Sequence, residues 1–323
     1  MRRGVTYGVI AGALWGAVFL APVLIPDFSP IEGSAGRFAA YGLVSLFVAL
    51  PRARALLSKL RPGDLGLLIR LALAGNLVYY FFLSAGVSLV GIAATSLIIG
   101  TLPVTITLFG SKTADAVPMR RLAPPLITIL IGIVCINVDV FSKTSSPHHA
   151  AASVTGMTAV TGIACAAAAL ASWTWFAIAN GRALRDRTQF SGNEWSIVWG
   201  VVTGLLSVII WLAIWLVMVA APPQWALSAG ITHHTTSDWG RFWAVNLALA
   251  IGASWLGNAL WNAASRRLSP TLSGQMIVFE TLFALVYGFL YTQHWPTPWE
   301  VAAIVLLLAG VLWSVRLHAR NHA

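Results

Sequence analysis

Charge is what this chain has least of. Of its 323 residues only 9% are Asp, Glu, Lys or Arg, against about a quarter in a soluble globular domain. A water-facing surface of ordinary polarity is thereby excluded. Cysteine is nearly absent too: Cys135 and Cys165 both lie in apolar runs, without CxxC or metal-ligand spacing, and read as packing residues. There is no P-loop GxxxxGK[ST], so no built-in ATPase, and no HExxH. Neither paired carboxylates nor a Ser/His/Asp set occurs at catalytic spacing, so no enzyme and no cofactor are expected. No apolar run carries a Lys/Arg cluster able to hold a phosphate, which argues against sugar phosphates and nucleotide sugars. The pairs His148-His149 and His233-His234 lie between runs, where adjacent side chains point apart, and read as loop residues rather than metal ligands.

What is present is apolar sequence. Hydrophobic residues make up 58% of the chain, and its mean hydropathy is +0.80. Runs of about 18 to 25 residues, each long enough to cross ~30 Å of hydrocarbon as a helix, follow one another from end to end. Period-2 segments of a β-barrel are missing. The fold class is therefore an all-α integral membrane protein. Ten spans fit: Val5 to Val23, Ser34 to Leu50, Leu65 to Leu83, Val87 to Gly110, Leu122 to Phe141, Val154 to Asn180, Trp195 to Val219, Phe242 to Ser265, Pro270 to Tyr291 and Pro298 to Leu317. The start MRRGVTYGVIAGALWGAVFL has signal-peptide regions but an apolar run too long for one, and is kept as the first span. The third and fourth spans share one apolar tract, divided here near Ser84-Ala85-Gly86.

The net charge of +10 is a topology signal rather than a nucleic-acid footprint. Sixteen of the basic residues fall at the termini or in alternate loops, from Arg2 and Arg3 through Lys59, Lys112, Arg187 and Arg266 to Arg320. Only Lys143 and Arg241 fall on the other side; Arg37 and Arg70 lie within spans. Positive loops face the cytoplasm, so both termini are expected inside a bacterial-type inner membrane. The longest outer connection, Ala221 to Gly240, is expected to be a solvated loop that could partly cover an outer opening.

Shifting the sequence by 178 residues lays Asn76, Tyr80, Ser84 and Ser88 of the third span on Ser254, Asn258, Asn262 and Arg266 of the eighth. Each row steps by four, so each is one helix face. The same shift puts Pro103 on Thr281, next to Glu280. Residues 1–150 and 151–323 then form two halves of five spans, and five being odd, they run in opposite directions. Such inverted repeats serve alternating access to a site near the bilayer midplane.

Polar groups inside spans should face protein or water. Asn76, Asn258, Asn262 and Gln275 offer donors and acceptors beside Tyr79, Tyr80, Trp255 and Trp261, a combination suited to a small neutral or zwitterionic solute with an apolar side chain. The same amides could equally join helices. The candidate substrate-lining set is Trp15, Asn76, Tyr79, Tyr80, Pro103, Trp173, Ser254, Asn258, Trp261, Asn262, Gln275 and Glu280. Glu280 has three readings: a proton carrier, a partner for a substrate amine, or a structural acceptor. Arg37 lies at similar depth, so a salt bridge between them is one option. Gly4, Gly8 and Gly12, spaced by four, could pack helices within one chain or between chains. The expected partners are a small-molecule substrate and the lipid bilayer, with no nucleic acid; a monomer is one reading.

With ALWGAVF (Ala13 to Phe19), GRFAA (Gly36 to Ala40), SLIIGTLPVTITLFG (Ser96 to Gly110), SWTWFAIANGR (Ser172 to Arg182), FETLFAL (Phe279 to Leu285) and LLLAGVL (Leu306 to Leu312), the chain resembles the ten-span EamA-type exporters of the drug/metabolite transporter (DMT) superfamily. Within it, the aromatic content and neutral polar set are most similar to the YddG-type aromatic amino-acid exporters. The resemblance implies export of aromatic and other neutral amino acids from a cavity formed by the third, fourth, eighth and ninth spans. Cationic drugs or nucleobases are the alternative cargo, and a non-transporting membrane scaffold the alternative role. The family usually reads Glu-Pro in the ninth span, where this chain has Glu280-Thr281. Thr keeps its backbone N–H, so the proline reason for a kink there is gone.

Overall fold

The structure is a computed structural model and describes every residue except 1, 111–117, 145–155, 221–233, 294 and 322–323. Lys112, His148, His149, His233 and the expected boundary between the halves at 150/151 lie outside the described residues. Those described form helices and connections, with no strand among them. Among the described residues, eight helices are long and apolar enough to cross a membrane: Arg2–Leu20, Pro30–Leu57, Asp64–Val90, Met157–Asp186, Gly192–Leu216, Thr236–Ser265, Leu272–Tyr291 and Pro298–Leu317. Their outer faces carry Phe47, Leu212 and Trp215, each about 60% exposed or more. An apolar surface on that scale is stable against lipid and untenable in water. Polar side chains are turned inward: Asn76, Asn246, Ser254, Asn258, Asn262 and Gln275 are all buried.

Three close helix contacts set the framework, each made by glycine. On the first helix, Gly4, Gly8, Gly12 and Gly16 form one stripe. Cβ atoms there would fall 2.9 Å from Leu268 Cγ, 2.8 Å from Met276 Cγ, 2.7 Å from Phe279 Cβ and 2.8 Å from Ala284 N. The stripe therefore seats the first helix along the ninth span of the same chain. This excludes it as a free dimerisation face. In the second crossing, Gly42 of Pro30–Ala49 meets Gly204 of Gly192–Ala220 backbone to backbone. In the third, Gly132 of Met119–Thr144 abuts Ala303, Leu306 and Leu307, while Gly310 of Pro298–Asn321 abuts Pro125 and Ile129. Without a hydrophobic force between helices in lipid, such close backbone approach supplies the van der Waals contact that holds them.

The interior helices are interrupted. π-helical segments replace the α ladder at Leu73–Leu77 and Ala250–Leu256. Each offers a carbonyl to another helix: Ala74 O accepts from Ser172 Oγ at 2.8 Å, and Ala253 O from Trp15 Nε1 at 2.9 Å. The ninth span breaks at Ile277, between Pro270–Met276 and Val278–Thr292. The break forms without a proline after Glu280: the chain tightens through Ile277 N to Gly274 O and Glu280 N to Ile277 O, each reaching back three residues.

The helical stretch Val78–Ile99 is not one rod. A Cβ on Gly86 would lie 3.2 Å from Thr95 Oγ1, whereas nine residues of straight helix rise ~13.5 Å. The chain reverses between these two residues, several positions beyond the Ser84-Ala85-Gly86 division expected from the sequence. That expectation placed the turn at the first small-residue cluster, but Ser84 and Gly86 are buried against neighbouring helices. The returning arm ends at Ile99, and Leu102–Gly110 follows after a turn at Gly100-Thr101.

Candidate functional site

Inside the bundle lies a cavity, part of it continuous with the outside. Its walls come from both halves of the sequence. The first three helices contribute Trp15, Val18, Phe19, Arg37, Phe38, Gly75, Asn76, Tyr79, Leu83 and Val87; later ones contribute Trp173, Phe176, Trp199, Asn258 and Glu280. Trp199 lies seven residues, or ~10 Å, into its helix from one face. Phe19 and Val87 stand near the far ends of theirs. The cavity thus extends from the bundle's middle toward the face opposite the N-terminus.

Much of the wall is aromatic. Trp15 packs on Trp173 and Trp261 with centroids 5.9 and 5.1 Å apart, Trp173 continues to Phe176 at 5.6 Å, and Phe176 stacks on Trp199 at 4.9 Å. Close approach of Phe176 to the opposite helix requires Gly75, where a Cβ would overlap the ring. The Trp15 indole donates to the Ala253 carbonyl in the second π segment at 2.9 Å, which sets the orientation of its ring.

Two charges enter the same space. Arg37 is 8% exposed. Its Nε donates to Ser254 Oγ at 3.2 Å, and its guanidinium carbon lies 5.0 Å from the Phe38 ring centroid and 4.9 Å from that of Tyr80. Glu280 stands in the first turn of Val278–Thr292, directly after the break at Ile277, where the helix dipole favours negative charge. Its backbone is pinned by the Gly12 contact. Both charges border the same cavity, yet no ion pair within 4.0 Å joins them among the described residues. The salt bridge that was one option from the sequence is not formed: Arg37 is held by Ser254, and Glu280 follows the turn at Ile277.

The face bearing the N-terminus is closed below the cavity. Asn180 Nδ2 donates to Asn262 Oδ1 at 2.9 Å, and Trp195 Nε1 donates to Asn180 Oδ1 at 2.9 Å. Arg187 pairs with Asp64 at 2.6 Å, Lys59 with Glu194 at 2.5 Å, and Arg266 reaches the Phe190 carbonyl. At the opposite face, Glu32 accepts from Ser29 and meets His234 Nε2 at 3.3 Å, with both side chains buried, while Arg241 bridges Asp27 and Asp238. His234 lies in a connection, as expected, with its side chain docked on the protein; residues 221–233 of that connection lie outside the described residues.

A curated relative decides the family. The chain is 33% identical over 321 residues to the inner membrane protein YtfF of Escherichia coli (strain K12), a match covering 98% of this chain and 96% of that protein. The chain belongs to the YtfF family of inner membrane proteins. No family model matches it. A solved crystal structure superposes with a TM-score of 0.68 over 99% of both chains at 20% identity, which shows a shared fold. An inner-membrane relative and eight apolar helices agree on a protein of the inner membrane that crosses it repeatedly.

In this YtfF-family chain the candidate residues divide into three groups. Trp15, Asn76, Tyr79, Trp173, Asn258 and Glu280 line the cavity. Tyr80, Ser254 and Trp261 stand behind it: the first two hold Arg37, the third backs Trp15 and Trp173. Asn262, Gln275 and Pro103 are not on its wall. Asn262 joins helices through Asn180, and Gln275 is fully buried with neither amide atom paired. Even Asn76 has a structural partner, donating to Thr203 Oγ1 at 3.1 Å. Arg37, Phe38, Phe176 and Trp199 were left out of the candidate set. For Arg37 the signal was present, an intramembrane cation; the aromatics carry none, since lipid-facing Trp175 and Trp215 look the same in sequence.

Proposed function

We propose that this protein is an inner-membrane carrier that exports aromatic and other neutral amino acids, or similar small amphipathic metabolites, by alternating access. Ten crossings supply the frame: the eight apolar helices, the arm returning after Gly86 with Leu102–Gly110, and Met119–Thr144.

Several observations support two inverted halves, residues 1–150 and 151–323. The 178-residue offset carries Leu73–Leu77 onto residues 251–255, inside the second π segment. It carries Gly132 onto Gly310, and their neighbours Pro125 and Ile129 onto Ala303 and Leu307, so that contact is reciprocal. Ser191 and Glu194 follow Ser29 and Glu32 by 162 residues, as Gly204 follows Gly42. Ser29-Glu32 and Ser191-Glu194 both form capping boxes, one on each face of the bundle. These matches also fit the resemblance to the DMT superfamily.

The observation that carries the reading is the cavity itself, built from both halves at their π-helical and broken segments, as in carriers whose discontinuous helices bind solute at midplane. By the positive-inside rule the N-terminal face is cytoplasmic, so this conformer is open outward and closed inward. Arg37 on the wall weighs against cationic drugs as cargo.

Purified protein in liposomes should take up labelled tryptophan or phenylalanine, and Asn258→Ala should impair uptake with folded protein retained. Absence of uptake for every aromatic and neutral amino acid, in protein that still unfolds cooperatively, would refute the assignment and favour a scaffold.

A further inference from the structure

Arg37 presents an unresolved account. A guanidinium carries five N–H donors; here Nε is used by Ser254, the guanidinium carbon lies about 5 Å from the Phe38 and Tyr80 ring centroids, and Tyr80 is a further side-chain partner. No carboxylate lies within 4.0 Å of it among the described residues. Burying an uncompensated cation is costly, as is burying an unpaired carboxylate. Both charges border one cavity, Arg37 buried and Glu280 partly so, with no ion pair between them among the described residues. Arg37 is tethered through the π segment of the eighth span, Glu280 by its tight turn and the Gly12 contact.

We infer that Arg37 and Glu280 form a two-ended clamp for a zwitterion, the guanidinium taking a solute carboxylate and the Glu280 carboxylate taking its ammonium group. This rests on the carrier reading above and makes both charged groups of the amino acid obligatory for recognition. The geometry gives each charge what it lacks. Guanidinium binds carboxylate in a planar, two-point fork that an ammonium cannot copy, and Glu280 offers acceptors only. Trp15, Trp173 and Phe176 remain to cover the solute's apolar part. A simple cation would satisfy Glu280 and face Arg37 across the gap; a simple anion would do the reverse. Only a bipolar solute neutralises both, so selection against monopolar compounds is built into the wall itself.

The experiment compares uptake into proteoliposomes of labelled tryptophan, tryptophanamide, which lacks the carboxylate, and indole-3-propionate, which lacks the amine. Wild-type protein should favour tryptophan at least ~10-fold over each, the value of one charged hydrogen bond. Arg37→Lys keeps the charge but loses the fork, and should erase most of the preference over tryptophanamide while leaving that over indole-3-propionate. Glu280→Gln should do the opposite. The ratio of two substrates on one preparation cancels any loss of folded protein. Equal transport of tryptophan and tryptophanamide by wild type, or ratios that both variants leave unchanged, would overturn the clamp while sparing the carrier. Failure to move any of the three would sink both.

Discussion

Gly132 and Gly310 lie on one helix crossing, each against the helix that carries the other, with Ala303 and Leu307 around the first and Pro125 and Ile129 around the second. The contact is unequal in tightness. A Cβ on Gly132 would meet nothing nearer than 3.1 Å, whereas one on Gly310 would fall 2.6 Å from Ile129 Cγ1 and 2.8 Å from the Pro125 carbonyl. Gly310→Ala should therefore lower the melting temperature in detergent clearly, on an overpacking cost of about 1–3 kcal/mol, and Gly132→Ala much less. Equal shifts would mean the crossing is looser than described.

Gly12→Ala should damage transport more than its size suggests. Its Cβ would press on Phe279 Cβ at 2.7 Å and on the Glu280 backbone at 3.0 Å, moving the carboxylate that faces the cavity. Gly33→Ala is the control, since nothing lies within 4 Å of that position. Tryptophan uptake per folded molecule should fall several-fold for the first and stay unchanged for the second.

Asn258 and Asn262 sit one helical turn apart and should fail differently. Asn262→Ala removes the acceptor of Asn180 in a fully buried network, an expected loss of about 1–3 kcal/mol visible as a lower unfolding temperature. Asn258→Ala opens the cavity wall and should weaken uptake with little change in that temperature.

Breaking the closure at the N-terminal face should alter access from that side. Lys59→Ala removes the cation paired with Glu194 at 2.5 Å. The pair is partly exposed, so its contribution to stability is small, under about 1 kcal/mol. Labelling of a cysteine placed at Trp195 by a membrane-impermeant thiol reagent from the N-terminal face, with Cys135 and Cys165 replaced, should become faster with Lys59→Ala than without it.

Much of this was legible in the sequence because lipid imposes hard rules on it. Long apolar runs, alternate basic loops and rows of amides at four-residue spacing located most crossings, and Asn76, Asn258 and Glu280 fell on one cavity. What the sequence hid depends on helix adjacency. Asn262 and Asn258 belong to the same row, yet one turn of helix separates a network from a cavity wall. The glycine stripe from Gly4 to Gly12 read as a contact within or between chains until its partner, the ninth span, was seen, and the structure extends it to Gly16. The break at Ile277 has no proline to announce it, and the reversal between Gly86 and Thr95 lies inside unbroken apolar sequence. Trp199 and Trp215 share a helix and a residue type, but only the first reaches the cavity.

The central claim, a single-chain carrier that exposes one cavity to each side in turn, is tested most directly by counterflow. Proteoliposomes loaded with unlabelled tryptophan and diluted into labelled tryptophan should accumulate label transiently above its equilibrium level, because the loaded carrier returns faster than the empty one. Label that rises only to equilibrium, at the same rate with or without internal tryptophan, would contradict alternating access.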